Sequence, residues 1–191
     1  MKKLTFLFSL IFLSLTSIAQ SITDISLIDA VTGGTVQVVS KAGPKGLVII
    51  FHSMNCPFAG MYQQRVKELR ENFQNQGMNF ILINPESDNS PAVQAELRKF
   101  IDDSGINTSY LIDSKQELVK LFQISKIPEA IIFAPGATGL EVKYKGAIDN
   151  NPQAESSVSE RFLERAINQV LRGETTTPSQ VRATGCNIRT F

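Results

Sequence analysis

Two cysteines and one histidine are all the thiol and imidazole chemistry this chain carries. A closed tetrahedral zinc site takes four ligands. His52, Cys56 and Cys186 would need an unspecified carboxylate as the fourth, so no metal is expected, and His52 reads as a side chain packed at a strand end. Two cysteines also fall short of the disulfide framework of small secreted domains, and 191 residues suffice for a core without staples. An excess of one charge is lacking too, with 19 Lys and Arg against 18 Asp and Glu. That balance gives no basic field for nucleic acid and no polybasic patch for anionic lipid. No internal repeat, long linker or flavin or nicotinamide loop is present. No cofactor is expected, and reducing equivalents must come from outside the chain.

The one long apolar run lies at the start, in "MKKLTFLFSLIFLSLTSIAQ". Lys2 and Lys3 precede the run from Leu4 to Leu15, and Ser17 and Ala19 follow as small residues two apart. This is the pattern of a secretory signal peptide over residues 1–19, too short and too interrupted for an anchoring span. Cleavage after Ala19 leaves 17 basic against 18 acidic side chains. A periplasmic or secreted protein without stable membrane insertion is expected. In such an oxidising compartment a thiol must be used or paired.

"ITDISLIDA", "TGG" and "TVQVV" predict an N-terminal β-hairpin. "GLVIIFHS" predicts a central strand buried on both faces. Pro57 then opens a helix that carries Met61, Val66, Leu69 and Phe73 at helical spacing and stops at Gly77. "MNFILIN" predicts a second buried strand, and Ser90 caps a helix with Pro91 at its first position. "SYLID" is a third strand, and Ser114 with Glu117 reads as a capping box for a brief helix. "EAIIF" and "LEVKYKG" predict an antiparallel hairpin. Ser157 with Glu160 reads as a capping box for a last helix that ends at Gly173. Alternating strands and helices with a closing hairpin imply an α/β sandwich around a mixed sheet. From Glu174 onward the chain is polar and reads as a surface tail, residues 174–191, that carries Cys186.

"FHSMNCPFAGMYQQR" resembles the active-site segment of the thioredoxin-like superfamily. Together with "ILIN", "IPEAIIF", "YKGAIDNN" and "GCNIR", it is similar to the exported peroxiredoxin-like proteins of the alkyl hydroperoxide reductase and thiol-specific antioxidant group. The resemblance implies a thioredoxin-like domain over residues 20–173, with a central mixed sheet flanked by helices, an N-terminal hairpin and the C-terminal tail. It implies Cys56 as nucleophile and Pro128 as the usually cis proline whose backbone turn pairs with a substrate's extended chain. Pro57 and Ile127 are then the flanking substrate-binding residues. Two departures stand out. Ala59 replaces the second cysteine of a thioredoxin motif. Ser53 meets the hydroxyl position of a peroxiredoxin motif, while Ile49 stands where that motif has proline.

A thiol at a helix start faces unpaired N–H groups and the positive end of the helix dipole, which favour the thiolate. The thiolate attacks a protein disulfide to give a mixed disulfide or a peroxide to give a sulfenic acid. Three functions remain open at this point: a thiol–disulfide oxidoreductase, a thiol peroxidase with Ser53 polarising the approach, and a thioredoxin-like binding module with idle cysteines. The first two draw on an external thiol reductant. Cys186 is the one remaining cysteine that can replace the thiol missing at Ala59. The twelve residues from Glu174 to Gly185 reach up to ~40 Å when extended, so resolving thiol, structural staple and exposed cysteine all stay open. Asp149 to Asn151 read as a turn, and Arg65 as part of a solvated helix face.

Overall fold

The computed structural model describes residues 21–137 and 139–189. The expected signal peptide lies outside the described residues. The strands are β1 (Ser26–Asp29), β2 (Thr35–Gln37), β3 (Gly46–Phe51), β4 (Met78–Asn84), β5 (Ser109–Ile112), β6 (Lys126–Ile127), β7 (Glu129–Gly136), β8 (Gly139–Gly146), β9 (Gln180–Val181) and β10 (Cys186–Asn187). The helices are α1 (Pro57–Gln74), α2 (Pro91–Ser104), α3 (Glu117–Phe122) and α4 (Phe162–Leu171). Eight strands form one mixed sheet in the order β2-β1-β5-β4-β3-β7-β8-β9, and β10 pairs with β6 beside it. Strands β3, β4 and β5 run parallel, while β7 lies antiparallel to β3. Among the described residues no helix is long and apolar enough to cross a membrane.

Successive strand side chains point to opposite faces, and this divides the core in two. Val48 and Ile50, Phe80 and Leu82, and Ala130 and Ile132 face α1, α2 and α4, where they meet Val66, Leu69, Leu97, Leu163 and Ile167. Leu47, Ile49 and Phe51, with Ile81, Ile83, Ile131 and Phe133, face α3 and the N-terminal segment through Leu118, Ile25 and Val38. Every residue of β3 is buried because both layers press on it.

Four local expectations are corrected. Met61 is not inward but 48% exposed; the inward row of α1 is Ala59, Tyr62, Arg65, Val66, Leu69 and Phe73. Arg65 is thus buried, not solvated. Glu117 and Ser114 do not box α3. Instead the Asp113 carboxylate accepts from the backbone N–H groups of Glu117, Leu118 and Val119 at 2.7, 3.0 and 3.3 Å. Ser157 ends a short 3-10 turn rather than capping α4. Asn150 Oδ1, reaching across from the preceding loop, accepts from Ser159 and Glu160 N–H.

The segment after Gly173 is stitched to the domain at two places. β9 runs parallel to β8, pairing Lys145 with Gln180 and Gly146 with Val181. Gly146 has φ +142°, and a Cβ there would meet Val181 O at 1.8 Å. A side chain at 146 therefore excludes β9 both by backbone conformation and by space. Beyond it, β10 lies antiparallel to β6, with Cys186 opposite Ile127 and Asn187 opposite Lys126.

Candidate active site

Cys56 occupies the N-cap of α1 with extended backbone (φ −99°, ψ 112°), and Pro57 takes the first helical position. The preceding loop is folded by Ser53, whose carbonyl accepts from Cys56 N–H at 3.1 Å and whose hydroxyl accepts from Asn55 N–H at 3.3 Å. Ser53 therefore shapes the turn that presents the cysteine. Pro57 has no N–H, so the N-terminal donors of the helix begin at Phe58 and Ala59.

Cys56 is bonded to Cys186, with Cα atoms 6.0 Å apart and a sequence separation of 130. Among the described residues there is no free cysteine. The Ile127–Pro128 peptide is cis, and Ile127 is the residue opposite Cys186 on β6. Cys56, Ala59 and Ile127 form a small apolar cluster, covered by Phe58, Cys186 and Ile188. Cys56 Sγ lies 3.2 Å from the Ile127 carbonyl oxygen. In the disulfide this sulfur has no proton, so that approach is a contact; on reduction the thiol gains the same oxygen as an acceptor. Cys56 is 3% exposed, whereas Cys186 is half-buried.

The structure thus brings together Cys56, Pro57, Ile127, Pro128 and Cys186, with Ser53 just ahead in the loop. Glu86 and Gln116, which hydrogen-bond the Arg189 backbone beneath the tail, were missed from sequence. So was Gly185, although a glycine directly before a cysteine is a visible signal of close backbone approach. His52 stands apart from the sulfur chemistry. Its backbone N–H donates to Ile83 O, and its Nδ1 lies 2.5 Å from the Tyr110 hydroxyl, which also receives Asn84 Nδ2–H at 3.3 Å. Phe100 packs on the ring at 4.8 Å between centroids. The same hydroxyl lies 3.3 Å from the His52 carbonyl oxygen, and burial keeps the ring neutral.

Burial pushes the His52 pKa down from 6.5 to about 4. The unfolded chain therefore takes up a proton that the folded chain refuses, and stability falls as pH drops from about 6.5 toward 4. The shift corresponds to roughly 3 kcal/mol across that window. Urea denaturation at several pH values should show this acid-side loss, with a flatter profile for His52→Asn. Equal slopes in the two proteins would assign the loss to other groups.

Asp149 and Arg65 form a second buried polar centre, between α1 and residues 149–152. Arg65 donates to Asp149 Oδ2 at 2.5 Å and to the carbonyls of Asn151, Pro152 and Met61. Tyr62 hydroxyl and Asn151 N–H donate to Asp149 Oδ1, and the guanidinium lies 4.0 Å from the Tyr62 ring centroid. Burial and the Asp149 carboxylate together push the Tyr62 pKa up. The expected solvated arginine and simple turn are replaced by a clamp between α1 and residues 149–152.

A mixed sheet whose central strand leads through a Cys-Pro pair into a helix, facing a cis-proline, defines a thioredoxin-like protein. The chain belongs to the AhpC/TSA family, whose model matches residues 18–140 and so ends before Cys186. Solved structures share the fold. An uncharacterized conserved protein from Geobacillus kaustophilus is 24% identical with a TM-score of 0.76, covering 87% of this chain and 88% of its own. A hypothetical protein from Sinorhizobium meliloti 1021 is 22% identical with a TM-score of 0.74, covering 86% and 89%. A secreted Mycobacterium tuberculosis disulfide oxidoreductase, homologous to E. coli DsbE, is 17% identical with a TM-score of 0.52, covering 77% and 96%. No curated protein matches the chain.

Proposed function

We propose that this protein is an exported thiol–disulfide oxidoreductase in which Cys56 is the nucleophile and Cys186 resolves it. The observation that carries this reading is the Cys56–Cys186 bond at the start of α1, opposite cis-Pro128. The described relative from Mycobacterium tuberculosis, a secreted disulfide oxidoreductase, supports both the chemistry and the oxidising compartment.

In the reducing direction the Cys56 thiolate attacks a substrate disulfide, forming a Cys56–substrate bond and releasing the substrate's other sulfur as thiolate. The Cys186 thiolate then attacks Cys56 Sγ, which frees the substrate's remaining thiol and leaves the bond seen here. The substrate gains two electrons and the protein's dithiol loses them. Regeneration starts at the accessible sulfur. An external thiolate attacks Cys186, and Cys56 leaves as a thiolate stabilised by the N-terminal N–H groups of α1. A second thiol of the reductant then frees Cys186.

The peroxidase reading is less well supported at this site. Ser53, the residue that would polarise a peroxide, is buried, and its hydroxyl accepts from Asn55 N–H in the turn. Trapping tests the proposal. Cys186→Ser should accumulate a substrate mixed disulfide on Cys56, and the oxidised wild-type protein should form a mixed disulfide on Cys186 with a dithiol reductant whose second cysteine is changed to Ser, each identified by peptide mass mapping. Rapid consumption of hydrogen peroxide by the reduced protein, with no turnover of protein disulfides, would overturn it.

A further inference from the structure

The tail is seated residue by residue, from Gly185 to Arg189. At Gly185 a Cβ would meet Ile127 O at 2.1 Å and Ile127 C at 2.6 Å, both backbone atoms that cannot swing aside. Cys186 and Asn187 pair with Ile127 and Lys126, and Lys126 Nζ donates to Asn187 Oδ1. Ile188 packs against the cluster around Cys56, and its N–H donates to Ser125 O. Arg189 N–H donates to Glu86 Oε1 at 2.9 Å, and Gln116 Nε2 donates to Arg189 O at 2.6 Å. Gln116 holds this position from a left-handed backbone (φ 55°) and also donates to Pro85 O. Beyond the two-residue ladder, three separate segments thus meet five consecutive tail residues.

The thioredoxin-like class already implies a substrate strand beside Ile127–Pro128; we infer that the tail, Gly185 to Arg189, is the template for that strand and that Glu86 and Gln116 extend its seat. The segment this seat takes is an extended strand with glycine directly before the reacting cysteine and an aliphatic residue two positions after it. The inference rests on the oxidoreductase reading. Substrate and tail cannot pair with Lys126–Ile127 at once, because each edge N–H and carbonyl serves one strand. Reduction of Cys56–Cys186 lets the tail leave the seat while β9, paired with β8, keeps it tethered nearby. A Gly-Cys strand then docks, its disulfide is attacked by Cys56, and the returning tail displaces it as Cys186 resolves the bond.

The test uses full-length Cys186→Ser and synthetic peptides with the sequence Thr-Xaa-Cys-Asn-Ile-Arg, each cysteine carrying a thionitrobenzoate leaving group. Attack by Cys56 transfers the peptide to the protein and releases the coloured thiolate. The peptide with glycine at Xaa should react about tenfold or more faster than the alanine peptide. Adding Gly185→Val, which unseats the protein's own tail, should raise the rate for the glycine peptide further. Equal rates for the two peptides, or no change on unseating the tail, would overturn the inference alone if a small aromatic disulfide still reacts quickly. No reaction with either peptide or the small disulfide would overturn the oxidoreductase reading with it.

Discussion

Reducing the Cys56–Cys186 bond is expected to lower the free energy of unfolding by up to ~5 kcal/mol. The bond closes a loop spanning most of the described chain, and releasing it restores chain entropy to the unfolded state on that scale. The denaturant slope should rise at the same time, because an uncrosslinked chain exposes more surface on unfolding. Urea or guanidinium melts of the oxidised protein and of Cys186→Ser, compared under non-reducing conditions, measure both. A loss below about 1 kcal/mol would mean that the bond constrains little, which would leave catalysis as its role. The staple and resolving roles are separable in the same variant. A structural bond alone predicts lost stability with unchanged turnover, whereas the proposed mechanism predicts turnover arrested at the Cys56 mixed disulfide.

Asp149→Ala is expected to cost about 3–5 kcal/mol, because it strands the Arg65 guanidinium without its counter-charge. Both side chains are nearly inaccessible, at 5% for Arg65 and 2% for Asp149, so water cannot replace the carboxylate. Asp149→Asn should cost less, since its carbonyl oxygen can still accept from Tyr62 and Asn151. Chemical denaturation of the two variants tests the ordering; a loss below about 1 kcal/mol for Asp149→Ala would show that Arg65 finds water on its own. The fold depends on this pair because α1, which starts at Cys56, is tied through it to the loop after β8. Loosening that tie is expected to reach the cysteine through the helix.

The strand and helix order was legible because apolar periodicity is a local property. Continuous runs marked β3 and β4, alternation marked the hairpins, and Ser90-Pro91 marked the start of α2. Cys56-Pro57 at a strand-to-helix junction was legible as a thiol site for the same reason, since the geometry of a helix start is set within a few residues. The helix caps were less secure. Asp113 supplies the acceptors for α3 that Ser114 offered equally well in sequence, and α4 starts without a side-chain cap although Ser157 offered one; only the packed loops choose between them.

Arg65 shows where local reading stops. Its helical position is visible in sequence, but its burial depends on Asp149, 84 residues away, whose carboxylate makes an inward charge tolerable. The tail shows the same limit. Composition alone marks it as polar surface, and extended reach left Cys186 free to go anywhere. The sequence by itself determined an α/β fold with a Cys-Pro pair at the start of α1 and one distant cysteine. Only the tertiary structure decided that Gly146 and Gly185 clear the way for the tail, so that two backbone ladders and one sulfur bond bring Cys186 onto Ile127. Such approaches between distant backbones depend on steric space and hydrogen-bond partners that exist only once the chain has folded.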